Sequence, residues 1–157
     1  MTIGQERYLN DFFVHIFNKI LALEEQALNN VGARDLSVKE LHVLEAVHHL
    51  ERGALSTMSN VAEALSIRVS SLTTAVNTLV RKGYLLREGD PADRRIIRLH
   101  LTEKGGQANQ LHSQFHRAMI RGVGDQLKED ELEVLVHSLK SLECFFRDTA
   151  SSKDDHD

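Results

Sequence analysis

Apolar residues recur at three- and four-residue spacing along most of this chain, the mark of helices with one buried side. From Tyr8 to about Asn30 the set Phe12, Phe13, Ile16, Phe17, Ile20, Leu21, Leu23 and Leu28 predicts a long first helix with an aromatic-rich stripe, ended by Gly32. Ser37-Val38-Lys39-Glu40 reads as a capping box, serine hydroxyl and glutamate serving each other's amides, that opens a second helix through about Leu50. A short third helix, about Ser59 to Leu65, is capped by Thr57. After Ser66-Ile67 a fourth runs to Lys82, where Gly83 supplies the left-handed closing residue.

The period then changes. Tyr84 to Arg87 and Ile96 to Leu101 read as two strands, and Gly89 and Pro91 keep the intervening Glu88 to Arg94 out of regular structure, giving a hairpin with a charged tip. Thr102 caps a fifth helix to about Arg121, and a sixth spans about Glu129 to Arg147 with Leu132, Leu135, Val136, Leu139, Leu142 and Phe146 on one side. Residues 148–157 lack apolar periodicity and read as an acidic flexible tail. The predicted fold is mainly α: a winged helix-turn-helix with a two-stranded β-hairpin wing and N- and C-terminal dimerisation helices. It forms one domain over 1–147, with the DNA-reading part at about 37–102 and the dimerisation helices at about 8–31, 103–121 and 129–147. These long helices carry more apolar surface than so small a core readily buries, so a homodimer is expected.

Composition sharpens this picture. The net charge of −4 is unevenly spread: between Arg68 and Lys104 eight Arg/Lys face four acids, a local +4 on an acidic body that can be drawn to phosphates. No run of eighteen apolar residues and no basic-then-apolar start is present, and Cys144 is the single cysteine, so a cytoplasmic protein without internal disulfide is expected. Cys144, just before Phe145 and Phe146, reads as buried. The chain lacks a Gly-rich phosphate loop, a His-x-x-x-His with an internal glutamate and a Gly-x-Ser-x-Gly elbow, so it does not read as an enzyme.

Helix four carries the candidate chemistry. Its inward set is Leu72, Val76 and Leu79, with Ala75 at the boundary; its outward set is Ser70, Ser71, Thr73, Thr74, Asn77, Thr78 and Arg81. Short hydroxyl side chains weaken a helix by competing for backbone hydrogen bonds, yet they allow close approach to bases, and Asn77 suits adenine. Arg68 and Lys82 bracket this helix as phosphate contacts. At the hairpin tip Arg94 and Arg95 are candidates for the minor groove or the phosphates, with Asp93 orienting an arginine or capping the loop.

These residues carry a resemblance. Asp90-Pro91-Ala92-Asp93-Arg94-Arg95, then Ile97 to Leu101 and Leu101-Thr102-Glu103-Lys104-Gly105, resemble the wing signature of the multiple-antibiotic-resistance regulator (MarR) family. Val61-Ala62-Glu63-Ala64-Leu65 and Leu79 to Leu85 resemble that family's third helix and the end of its recognition helix, and the likeness runs from about Leu9 to Phe146. It implies a homodimer on double-stranded operator DNA, with base-reading positions Ser70, Ser71, Thr73, Thr74 and Asn77 and wing arginines Arg94 and Arg95. One departure is Arg68, where many members have a capping Ser or Thr. Within the family the chain is most similar to the repressors of fatty-acid synthesis genes in streptococci and their relatives. The shared features include Phe17 to Leu21 with Glu24-Glu25, Ser37 to His42, and Leu111-His112 through Phe115 to Met119. That likeness implies no cofactor, an effector in long-chain acyl-acyl carrier protein that enhances DNA binding, and an acyl pocket at Phe12, Phe13, Ile16, Phe17 and Met119.

Nine histidines leave a second reading open. His112 and His116 stand four apart, a spacing that can hold a metal, and His15, His42, His48, His49, His100 or His137 could add a ligand. A zinc-responsive regulator of the same fold is the alternative. Against it, the local sequence places no carboxylate or cysteine beside the pair.

Overall fold

The computed structural model describes residues 1–30, 35–90, 93 and 95–151. Its elements run α1 (Ile3–Asn30), α2 (Val38–Glu51), α3 (Met58–Ala64), α4 (Val69–Arg81), β1 (Leu85–Gly89), β2 (Ile97–Leu101), α5 (Glu103–Gly124) and α6 (Glu129–Ser151). The first helix begins five residues earlier than its apolar stripe, closed at its start by Thr2, which exchanges hydrogen bonds with Gln5. Gly32, expected to end it, lies outside the described residues.

Two compact units divide the chain, Met1–Phe115 and His116–Asp157, where the sequence reading has one domain. The first holds a core in which Leu44, Val47, Val61, Leu72, Val76, Leu79, Leu85 and Leu99 are fully buried. These come from α2, α3, α4 and both strands, so the helix-turn-helix and the wing share one interior. The second unit contains the end of α5 and all of α6. Residues 148–151 continue α6 rather than starting the expected tail; the helix keeps its own hydrogen-bonded register past the last apolar residue, and 152–157 lie outside the described residues. Cys144 is exposed, not buried, because the side of α6 bearing it, Phe145 and Phe146 is open. Among the described residues no helix is long and apolar enough to cross a membrane.

Local chemistry sets the element ends. Ser37 Oγ accepts the Glu40 amide at 3.2 Å while the Glu40 carboxylate accepts the Ser37 amide at 2.8 Å, completing the capping box. Thr57 Oγ1 accepts the Asn60 amide at 3.3 Å. Gly83 has φ +78°, open to glycine without the Cβ penalty. The strands pair antiparallel from Leu85↔Leu101 to Gly89↔Ile97. Gly89, expected in the loop, is thus the last residue of β1: at the outer end of an exposed hairpin a glycine is tolerated, and its partner Ile97 fixes the register.

At the junction of wing and α5 the backbones approach closely. The Thr102 hydroxyl donates to the Gly83 carbonyl at 2.7 Å and accepts the Gly105 amide at 3.0 Å. A Cβ at Gly105 would lie 2.2 Å from the Tyr84 carbonyl oxygen, whereas one at Gly106 meets nothing within 4 Å. Gly105→Ala is expected to cost about 1–3 kcal/mol because backbone must move. Gly106→Ala is expected to stabilise by up to about 1 kcal/mol through helix propensity. Urea unfolding of the two variants at equal protein concentration checks the pair; equal effects would refute the close-approach account.

Candidate nucleic-acid interface

Helix α4 is seated by three residues. Leu72, Val76 and Leu79 are fully buried, as the inward set predicts. Ser70, Ser71, Thr74, Asn77 and Arg81 are exposed and Thr73 is half-buried. The Thr73 hydroxyl donates to the Val69 carbonyl at 2.8 Å, so toward a base it offers an acceptor oxygen and a methyl group. Arg68 is the N-cap residue, with extended backbone and no side-chain cap bond, and its side chain is exposed.

Lys82 is directed differently from the expected phosphate contact. Its Nζ donates to both Glu40 carboxylate oxygens, at 2.8 and 2.9 Å, and to the Asp35 carbonyl oxygen. Those three bonds use all of its donors. Lys82 is itself the C-cap residue of α4, and its side chain turns inward to the capping-box carboxylate. Burial raises the Glu40 pKa, but the Lys82 hydrogen bonds, the Ser37 amide and the Lys82 charge outweigh it and hold the carboxyl below its usual value.

The wing is braced from its base. Arg98 Nε and Nη2 both donate to Asp90 Oδ2, at 2.9 and 2.7 Å, and Nη1 donates to the Ala54 carbonyl. The Leu99 amide donates to the Ser56 carbonyl at 2.8 Å, and Thr57 bridges Arg98, tying β2 to the segment before α3. Asp93 Oδ1 accepts the Arg95 amide at 3.0 Å, so of its two expected roles it fills the loop-capping one. The arginine-orienting role falls to Asp90, which the sequence reading missed because its partner Arg98 stands across the hairpin. Arg95 is exposed; Arg94 lies outside the described residues.

Tyr84, Asp35 and Lys104 close the back of the helix-wing corner. The Tyr84 hydroxyl donates to Asp35 Oδ1 at 2.8 Å, Lys104 Nζ lies 3.4 Å from Asp35 Oδ2, and the same ammonium stands 3.9 Å above the Tyr84 ring. The Tyr84 hydrogen bond leads in lowering the Asp35 pKa.

Of the expected acyl-pocket residues, Phe12 and Phe17 are exposed, and Phe13, Ile16 and Met119 are half-buried. An apolar pocket of about 210 Å³ lies further along α1, lined by Glu24, Leu28, Leu41, Ala108, Leu111, His112 and Phe115, among others. Helical periodicity cannot distinguish the aromatic stripe of α1 from a ligand wall, because both need only one apolar side.

Similarity to known proteins decides the class. The MarR family profile matches residues 27–96. The structure of Streptococcus pneumoniae FabT in complex with DNA is 35% identical, with a TM-score of 0.80, covering 92% of this chain and 99% of that one. The chain belongs to the MarR family of winged-helix transcription regulators. An uncharacterised HTH-type transcriptional regulator of Bacillus subtilis, YkoM, is 27% identical over 86% of this chain and 85% of its own. A Staphylococcus aureus MepR–DNA complex has the same fold, with a TM-score of 0.76 at 21% identity, over 88% of this chain and 97% of that one. MarR-family members are regulators, not enzymes.

The Glu40 network gives a pH-dependent prediction. A carboxylate with a depressed folded pKa contributes stability that is complete above its unfolded pKa and is lost as pH falls through the folded one. Lys82→Met removes the main lowering partner and leaves burial to raise the Glu40 pKa. The variant is expected to lose about 1–3 kcal/mol at neutral pH. The parent–variant difference is expected to be complete above the unfolded Glu40 pKa and to shrink as pH falls, because acid removes the stability that Lys82 gives the parent's carboxylate and relieves the burial cost of the variant's. Urea unfolding followed across pH 3–7 checks it, and a pH-independent difference would overturn the Glu40 assignment.

Proposed function

We propose that this MarR-family regulator is a repressor of fatty-acid synthesis genes. It binds double-stranded operator DNA as a homodimer and is helped onto that DNA by long-chain acyl-acyl carrier protein. The observation that carries the DNA part is the exposed polar face of α4, with Arg68 and Arg81 toward its ends, in a chain 35% identical to a protein crystallised with DNA. In this reading Asn77 pairs with an adenine edge, Ser70, Ser71, Thr73 and Thr74 meet bases or phosphates, and Arg68, Arg81, Arg94 and Arg95 hold the backbone or the minor groove. Two copies meet through the apolar residues of α1, α5 and α6, including the exposed Phe12, Phe17, Leu139 and Phe146.

The effector assignment rests on the sequence resemblance to fatty-acid synthesis repressors. The pocket beside Glu24, Leu28 and Phe115 supports it as a place for an apolar chain, with more apolar than polar lining. Helices α1, α2 and α5 each contribute to that pocket, so an occupant touches both the expected dimerisation helices and the first helix of the DNA-reading part.

The test is fluorescence anisotropy with an operator selected from random duplexes, at several salt concentrations. Arg95→Ala is expected to weaken all sequences alike and reduce the salt slope by about 1. Asn77→Ala is expected to lose about 1–3 kcal/mol of discrimination at one base pair. Parent-like binding by both variants would reject this interface. Acyl-acyl carrier protein should tighten the parent complex; no change or a weakening would reject the effector while leaving the DNA-binding assignment in place.

A further inference from the structure

The fold places beside the apolar pocket a set of ligand-type side chains that the sequence keeps far apart. Glu24 of α1, His42 of α2 and His112 of α5 belong to the first compact unit, and each offers a ligand atom within 4.8 Å of those of the others. His42 Nε2 stands 3.4 Å from Glu24 Oε1, and the His42 and His112 rings are 5.6 Å apart between centroids. Glu24 is 3% exposed and His112 5%, while His42 is half-open to solvent.

We propose that Glu24, His42 and His112 form a binding site for a divalent late transition metal ion of the zinc type. Three considerations favour it. Imidazole and carboxylate are the donor types such an ion takes, with bonds of roughly 2.0–2.2 Å, so tetrahedral ligands lie roughly 3.3–3.5 Å from one another. The Glu24–His42 separation already has that value, and the remaining distances close with side-chain adjustments of about an ångström or so, small on the scale of rotamer changes. A carboxylate with almost no solvent contact, close to two imidazoles, is also a costly group that a dication compensates strongly. Finally, the half-open His42 gives the ion an entry path.

Three protein ligands leave one position of a tetrahedron. A water or a further donor would complete it. The objection raised from sequence, that no carboxylate accompanies the His112/His116 pair, is answered by Glu24, which stands 88 residues before His112 in the chain and beside it in the fold. Glu24 and His112 also line the apolar pocket, so an ion and a pocket occupant would share two side chains.

Without an ion, the same residues make two histidine–carboxylate pairs: His42 with Glu24, and His112 with Glu45 at 3.5 Å. Metal binding separates the two accounts. The full chain, stripped with chelator, is titrated with zinc by calorimetry and in competition with a chromophoric chelator, in the absence of DNA and acyl carrier protein. Cobalt(II) is added in a parallel sample as a coordination probe. The expected result is one zinc per chain with sub-micromolar affinity, intense visible cobalt bands of a tetrahedral centre, and a zinc-dependent rise in Tm. Glu24→Gln, nearly isosteric, and His112→Ala should each weaken zinc by more than about tenfold, the lower bound that even outer-shell losses reach. Absence of zinc binding tighter than about 10 μM, or binding left intact by both substitutions, would overturn the site. Circular dichroism confirms folding, and Glu24→Gln keeps the test valid if His112→Ala does not fold. The proposal does not rest on the fatty-acid reading, and these readouts need no operator or acyl group, so the two fail independently.

Discussion

Glu40 is the buried carboxylate on which the geometry of the DNA-reading half depends. It closes the capping box at the start of α2 and at the same time receives two of the three Lys82 protons at the end of α4. The third proton goes to the Asp35 carbonyl, and the Lys82 carbonyl in turn accepts from Lys104 at the start of α5. Asp35 also receives the Tyr84 hydroxyl just before β1. The starts of α2, α5 and β1 and the end of α4 are therefore fixed against one another by charges that cannot be removed singly. A buried carboxylate without its cation is costly, and so is a cation turned inward without its carboxylate. The recognition helix can be displaced at this end only by breaking the whole set.

The other end of α4 is built the opposite way. Arg68 supplies no side-chain cap, and hydroxyl residues populate the first turns. Such a helix has little local stability of its own. It is held by Leu72, Val76 and Leu79, all fully buried, so its order comes from packing on one side and leaves the outward side free of any structural duty. That division suits an element whose outward chemistry must match an external surface. The amides of its first turn, uncapped by Arg68, also remain available to an anion.

How much of this was legible in the sequence follows from the range of the interaction. The capping box, the Thr57 cap, the positive φ at Gly83 and the inward triad of α4 are set within four residues or one periodicity, and each stands where the sequence reading put it. The inward turn of Lys82 is not legible locally, because its carboxylate partner lies 42 residues away. In the wing, Asp93 caps the loop locally, whereas the Asp90–Arg98 pair needs the register of the hairpin. Gly89 has the propensity of a strand breaker, and only its cross-strand partner Ile97 makes it the end of β1. The clustering of Glu24 with His42 and His112 depends on how three helices pack, and no local pattern encodes that.

The apolar surface of the single chain bears on all of these elements. Tyr8 is 70% exposed and Phe17 64% on α1, and on α6 Phe145 is 60% exposed. Contiguous exposure of large apolar side chains along a helix is uncommon for a chain that functions alone. In the proposed dimer these faces are buried, and folding becomes linked to association, so stability rises with protein concentration. The same association would fix the spacing of two recognition helices, which must match successive turns of the duplex, roughly 34 Å apart. A ligand bound between α1, α2 and α5 then acts on the geometry that matters. It touches a helix of the expected dimer layer and the helix whose first turn carries Glu40, so a small shift there is passed by the Glu40–Lys82 pair to the end of α4.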